Sequence, residues 1–426
     1  MAPATSTDAS PPPSQVPSAA GRPTADRALR RLFLSAPFAH VCPQLCFGSV
    51  AYFAALQVQS MDPEHKVQQL ALVNAVVATV SVLTQPVVGV WSDRTRTRFG
   101  ARTPWMLAGA VLGFLGLIAA GLSTSVATLL MTASIAYLGF NTFGGPLTAI
   151  QPDRVPVDHR GRYSTLAGLG TVIAAILGPV IGAIFADRIP LGYTVVATIT
   201  LVFALGFLLA NPDADNRNSS RPPFSVSTVL HMFWVDPRRH PDFFWVFLGR
   251  FLICGGYYMV LTYQLYIAQD YIGLTLTEAT HLTPILSLVS LPGFLLALGI
   301  AGPLSDRIGR RKPIVLAGGI IIAASALLPI WSPTVGGLIG STVVLTIGFG
   351  TFLAVDQALV TQVLPDADSA AKDLGIINIA STLPSTFAPM AAAAIVTASH
   401  GYGTLYPVVA LVAGLGALAI LPVKTR

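Results

Sequence analysis

Long apolar blocks separated by short polar stretches run along almost the whole chain. A helix needs about 20 apolar residues to cross the roughly 30 Å hydrocarbon core of a bilayer. Twelve stretches satisfy that need, near 37–60, 68–91, 104–123, 126–149, 164–186, 192–211, 242–268, 279–303, 313–331, 335–361, 375–397 and 404–422. They are continuously apolar and do not alternate, which predicts helices and excludes the strands of a membrane barrel. The pattern reads as an all-α membrane protein with twelve transmembrane helices.

The polar stretches give the organisation. Residues 1–36 are rich in Pro, Ser, Thr and Ala and predict a disordered tail, with Arg27, Arg30 and Arg31 just before the first span. The tail lacks the charged start, apolar middle and cleavage site of a secretory signal. A second polar stretch, 212–241, parts the chain into bundles at 37–211 and 242–422, followed by a short C-terminal tail at 423–426. The bundles repeat one another. Gly89 to Arg94 closes span two and Gly302 to Arg307 closes span eight, with Asp93 and Asp306 213 residues apart. Pro156 and Pro365 are 209 residues apart, and Pro179 and Pro389 are 210 apart. A duplicated six-helix unit implies two pseudo-symmetric bundles with a site at their interface that opens to either side, which is how a transporter is built.

Composition narrows the class further. Apolar residues make up 53% of the chain and charged residues 10%, against about 25% charged in an average soluble domain. A large soluble enzyme and a disordered regulator are both excluded. The net charge of +6 reports topology, not nucleic-acid binding: of 25 Lys and Arg, 22 fall in tails and loops on the side of the N-terminus. Lys66 and Arg188 fall on the other side, and Arg250 lies within a span. By the positive-inside rule both termini are cytoplasmic, and the plasma membrane is the expected location. Cys42, Cys46 and Cys254 lie within spans as ordinary small residues, with no disulfide framework and no metal-ligand partners. There is no phosphate-binding loop of the Gly-Lys-Ser/Thr kind. Clustered metal ligands and a Ser–His pair are missing as well, so no catalytic residue, cofactor or metal is expected.

The loops after spans two and eight share more than charge. Gly89 and Gly302 sit where small residues let helices approach. Asp93 and Asp306 end their helices where a carboxylate meets a helix N-terminus or an arginine. Arg94 follows the first, and Arg307, Arg310, Arg311 and Lys312 follow the second. In the run from Gly302 through Asp306, Arg307 and Gly309 to Arg311, the chain resembles the major facilitator superfamily, over nearly all its length after the tail. That resemblance implies a cytoplasmic latch in which Asp93 and Asp306 brace the halves together in the outward-open state. The first copy is longer, from Ser92 through Arg94, Arg96, Arg98 and Arg102 to Pro104 and Trp105. It is similar to the glycoside–pentoside–hexuronide and sucrose transporters. So is the run from Asp356 and Gln357 to Pro365, followed by Lys372, Asp373, Gly375 and Asn378. This second likeness implies a glycoside substrate and proton coupling. The carboxylates that carry coupling in those families, in spans two and four, are replaced here by Asn74 and Asn141. A sodium site of that kind is therefore not expected, and coupling must use another residue or be absent.

Charge inside a membrane is costly and marks function by default. Arg250 lies about eight residues into span seven, and Asp356 about five from the matching end of span ten, so at 1.5 Å per residue they share a depth to within about one turn. An ion pair between them is expected, with Gln357 and Asn378 nearby, serving either as glue within the second bundle or as a proton switch. His40 reads as a neutral interfacial histidine. A sugar needs an aromatic face and several amide or hydroxyl partners. Gln44 and Tyr52 in span one, Asn141 in span four, Tyr257, Tyr258 and Gln264 in span seven and Asn378 in span eleven are the candidate substrate residues. Gly255 and Gly256 would let span seven bend, and Tyr266 and Tyr271 read as anchors at the membrane interface.

The expectation is a monomeric secondary transporter in the bilayer, taking up a small-molecule substrate of sugar or glycoside type with a proton. The alternative is an exporter of hydrophobic drugs or metabolites, because Gly178, Pro179 and Gly182 partly match a signature that such facilitators carry in span five. A receptor on the same scaffold, binding without transport, is the third class.

Overall fold

The computed structural model describes residues 22–217, 238–362 and 370–424; for 22–26, 86, 157, 357, 361–362, 370–379 and 381 only the course of the backbone is described. The first six principal helices are α1 (Arg22–Met61), α2 (Lys66–Arg94), α3 (Thr103–Gly121), α4 (Val126–Arg154), α5 (Arg160–Ile184) and α6 (Ile189–Ala210). The second six are α7 (Pro241–Thr262), α8 (Leu276–Ile308), α9 (Lys312–Ser325), α10 (Val335–Gln362), α11 (Ala370–Ser399) and α12 (Leu405–Leu418). Each coincides with a stretch expected to span. Among the described residues there is no strand, and 10 helices are long and apolar enough to cross a membrane.

Local sequence sets the helix ends. Ser125 caps α4 reciprocally with Thr128, and Thr275 caps α8 reciprocally with Glu278. Pro104, Pro190, Pro241 and Pro313 occupy the first turns of α3, α6, α7 and α9, where a missing N–H is no loss. α8 ends at Gly309 with φ of 67°, a left-handed cap that glycine adopts without strain.

The helices form two bundles of six with one packing plan. In the first, α1 lies against α5 and α6, α2 against α4, and α3 against α4 and α6; in the second, α7 lies against α11 and α12, α8 against α10, and α9 against α10 and α12. Between bundles, α2 packs on α11 and α5 on α8, again related by the repeat. Water drives none of this association in a bilayer, so close backbone approach must do so. A Cβ on Gly109 of α3 would stand 2.6 Å from the Gly139 carbonyl oxygen of α4, and one on Gly139 would stand 2.2 Å from the Gly113 nitrogen.

Two local expectations differ from what is found. Helix begins at Arg22, well inside the stretch expected to be disordered up to residue 36. The apolar stripe Leu29, Leu32, Phe33 and Ala36 follows a helical period and packs into the core, which the Pro- and Ser-rich composition of the tail hides. The expectation for 1–21 lies outside the described residues, as does most of 212–241. Second, α7 runs unbroken through Gly255 and Gly256; Gly256 instead accommodates Ala413 of α12, whose Cβ would be 3.1 Å from an added methyl. The irregularity falls later, at a short turn over Gln264–Tyr266 and a π-turn over Ile267–Tyr271. The C-terminal residues are tied down: the Lys424 N–H donates to Asp242 at 3.0 Å, and Lys312 donates to the Val423 carbonyl at 3.1 Å.

Candidate transport pathway between the bundles

The α7–α10 seam carries a ladder. Arg250 Nη1 lies 2.7 Å from Asp356 Oδ2, with the two side chains 7% and 2% exposed. Neither charge could stay buried without the other. Seven residues along α7, the Tyr257 ring stacks on Phe349 of α10, with centroids 4.0 Å apart and planes at 10°. Seven further on, Gln264 Nε2 donates to the Thr342 hydroxyl at 3.3 Å. The partners on α10 are also seven apart, so the antiparallel helices meet at three rungs about 10 Å from one another. Tyr258 stands edge-on to Tyr257, centroids 5.4 Å apart. Both tyrosines are half-buried, whereas Gln264 is fully buried and engaged within its own bundle.

The matching seam of the first bundle is α1–α4. There Phe47 and Tyr137 pair with centroids 4.6 Å apart. Asn141, one turn along α4, is buried in a closed network: its Oδ1 accepts from Gln85 of α2 at 3.1 Å, and its Nδ2 donates to Ser81 at 2.9 Å and to the Tyr137 carbonyl at 2.8 Å. Its amide is occupied in joining α2 to α4. Gln44 is half-buried in α1. Tyr52 bridges the bundles: its ring fills the space left by Gly182 of α5 and its hydroxyl donates to the Thr280 carbonyl of α8 at 3.0 Å. The Asn378 side chain lies outside the described residues, as does that of Gln357.

Contacts between the bundles gather at the end away from the Arg-rich loops. Besides Tyr52, Tyr266 donates to the Ala55 carbonyl at 2.8 Å, and the Tyr263 hydroxyl, which donates to the Pro389 carbonyl of its own bundle at 2.9 Å, lies 3.3 Å from the Val67 carbonyl. Gln59 and Gln269 exchange two amide hydrogen bonds, at 2.7 and 3.1 Å. Lys66 Nζ pairs with Asp270 at 2.8 Å and sits 4.8 Å from the Tyr266 ring centroid, and Gln68 donates to Thr397 at 3.0 Å. In the α1–α2 loop a hydrogen bond from His65 holds the Asp62 carboxyl below its ordinary range. These hydrogen bonds and the ion pair join the bundles at this end, which is closed. Tyr266 is therefore no interface anchor: it is fully buried between the halves.

At the other end the loop expected to form a latch is organised within the first bundle. Arg102 pairs with Asp153 and lies 3.7 Å from Asp93. Asp213, which pairs with Arg154, also accepts from the Arg102 N–H at 3.1 Å. Asn216 accepts from the Thr97 N–H at 3.0 Å and donates to the Thr95 carbonyl at 2.9 Å. The first residues after α6 are thereby stitched to the α2–α3 loop. Gly100 turns there with φ of +82°, and Asp213 fills the space a side chain would need. Asp93, Asp306, Arg307 and Arg310 are exposed, Arg94 is half-buried, and Arg311 donates to the Ala358 carbonyl. Close helix approach at Gly89 and Gly302 is not found in this conformation, since an added Cβ at either would meet nothing within 4 Å.

Charge within the spans brought Arg250 and Asp356 to attention and matching depth paired them, and the structure brings them together. It also joins Tyr257 to Phe349, which sequence reasoning missed although the recurrence of seven in Arg250, Tyr257 and Gln264 was a usable signal. The Lys66–Asp270 pair was missed too; its one signal was a lone lysine among the loops otherwise poor in basic residues.

The chain belongs to the Major Facilitator Superfamily, whose sequence model matches residues 44–300 and 285–426. It is a multi-pass membrane transporter of small molecules, not an enzyme. Sucrose transport protein SUC3 of Arabidopsis thaliana is 28% identical over 124 residues, 24% of this chain; the match spans only 21% of that relative's length. Among solved structures, the nucleoside transporter NupG superposes with a TM-score of 0.76 at 13% identity, over 92% of this chain and 100% of that one. A D-xylose–proton symporter superposes at 0.70 with 16% identity, over 92% and 97%. A bacterial homologue of the human lysosomal transporter Spinster, inward-facing and unoccupied, superposes at 0.65 with 15% identity, over 94% of each chain. At such identities these likenesses concern the fold.

Proposed function

We propose that this transporter takes up a sugar or glycoside together with a proton, by alternating access, as a monomer in the plasma membrane. Both termini would be cytoplasmic, as would the 1–36 tail, the 212–241 connection between bundles 37–211 and 242–422, and the 423–426 tail. In that orientation the closed end is extracellular, and this conformation faces inward. Asp93 and Asp306, exposed here, would engage as a latch when the bundles rock the other way.

One observation carries the coupling: the buried Arg250–Asp356 contact on a seam between bundle helices. A proton taken up by the Asp356 carboxylate cancels its charge and releases the Arg250 guanidinium, which becomes available to substrate hydroxyls. Losing the proton restores the pair. Because the two protonation states favour different arrangements of the seam, they bias one open state against the other. Substrate would lie between the aromatic faces of Tyr257, with Tyr258 beside it, and of the Phe47–Tyr137 pair in the first bundle, with Gln44 as an amide partner. The limited match to a sucrose transport protein supports this class. The feature behind an export reading has a packing role here: a Cβ on Gly178 would stand 3.0 Å from the Gly48 carbonyl carbon, and Gly182 receives Tyr52.

The test is uptake of labelled disaccharides and glycosides into proteoliposomes, with and without an inward proton gradient. Accumulation abolished by a protonophore is the expected result. Counterflow without gradient-driven accumulation would make the protein a uniporter and the ion pair structural. An absence of sugar movement in folded protein would overturn the sugar reading.

A further inference from the structure

We propose that the groove between the N-terminal end of α1 and the start of α5 binds the headgroup and upper acyl chain of one anionic phospholipid. The groove is a cavity of about 610 Å³ lined by Leu29, Arg30, Phe33, Leu34, Pro37, His159, Arg162 and Leu166. None of these lining residues is acidic. Phe33 organises the cationic side: His159 stacks on its ring at 6.3 Å and 15°, and the Arg162 guanidinium sits 5.3 Å from its centroid. Arg30, on the facing helix, is exposed at the same rim.

The groove is polar at one end only. Pro37 lies seven residues deeper than Arg30 along α1, and Leu166 four deeper than Arg162 along α5, which is about 10 Å and about 6 Å of helix. An apolar floor beneath a rim of two arginines matches an amphiphile standing in the membrane, acyl chain inward and phosphate at the arginines. A free phosphate would use the rim and leave the floor empty. The orientation of the protein and its substrate do not enter, because lipid in a mixed micelle reaches both ends of the protein.

The full-length protein in mixed micelles is titrated with phosphatidylglycerol or phosphatidylcholine, and retained lipid is counted by native mass spectrometry. One phosphatidylglycerol should be retained in preference, with about fivefold of the affinity lost per arginine removed, which is about 1 kcal/mol each. Arg30→Gln with Arg162→Gln should reduce retention to the phosphatidylcholine level, while Arg30→Lys with Arg162→Lys should keep most of it. Leu166→Trp, which fills the floor and leaves the charges, should also abolish retention and decides the matter if the glutamine pair fails to fold. Equal retention of the two lipids, or retention unchanged in Leu166→Trp, would overturn the proposal. So would displacement of the lipid by millimolar glycerol 3-phosphate, which would make the rim a site for soluble phosphates.

Discussion

In the first bundle α1 and α4 meet through Phe47 and Tyr137, while in the second α7 and α10 meet through Tyr257 and Phe349, 210 and 212 residues further along the chain. The aromatic rung has been kept in both copies of the repeat. One rung nearer the Arg-rich loops the copies part: Arg250 and Asp356 stand in the second bundle, where the same offsets give His40 and Gly144 in the first. In the first bundle the buried polar group on the matching helix is the neutral Asn141, satisfied by half-buried Ser81 and exposed Gln85 of α2. A closed amide network is indifferent to a single proton, whereas a buried charge pair is not. On the proposed mechanism the two halves would divide the work, one as framework and one as the element that responds.

The sharpest way to break that comparison is to remove a single charge. Asp356→Asn leaves Arg250 buried without its counter-ion and should destabilise the protein by about 3–5 kcal/mol in chemical denaturation. Combining it with Arg250→Gln should restore most of the stability and keep counterflow, while proton-driven accumulation is lost. Accumulation retained in the double variant would show that the second bundle is framework too. Asn141→Leu should cost about 1–3 kcal/mol through the partners it strands, with the pH dependence of uptake unchanged; a changed pH profile would place coupling in the first bundle as well.

Smaller effects probe the closed end. Lys66→Met removes a partly exposed ion pair worth at most about 1 kcal/mol, so the balance between conformations should move no more than about fivefold towards opening at that end. Fluorescence distance measurements between dyes on α1 and α7 would read it. The least effect is expected from Glu278→Gln. The backbone N–H and hydroxyl of Thr275 hold the Glu278 carboxyl below its ordinary range. A lowered folded-state value contributes stability above the unfolded value and loses it as pH falls through the folded one. The small difference in melting temperature between wild type and variant should be full at neutral pH and vanish in acid.

The helices were legible because a bilayer demands long apolar runs, and the duplication because its landmarks recur at nearly one offset. What escaped was of two kinds. The early start of α1 has a local signature, the stripe from Leu29 to Ala36, that bulk composition conceals. The pairs Lys66–Asp270 and Gln59–Gln269 join residues some two hundred positions apart with no period to announce them. Tyr266 was misread for a related reason: an amphipathic ring near a helix end has the same sequence signature whether it faces lipid headgroups or the other bundle. The Arg250–Asp356 pair was reachable only because charges inside spans are so few that depth alone nearly matches them.

The closed end also has an uneven genetic constitution. Tyr52 and Tyr266 each donate across the interface to a main-chain carbonyl, at Thr280 and Ala55. Every residue type carries that carbonyl, so sequence drift at positions 280 and 55 leaves the acceptors in place. Loss of a tyrosine hydroxyl removes the bond at once. Size still limits the buried positions 280 and 55, so a survey of tolerated substitutions should find two tyrosines intolerant even of Phe, facing neighbours that accept any residue small enough to fit.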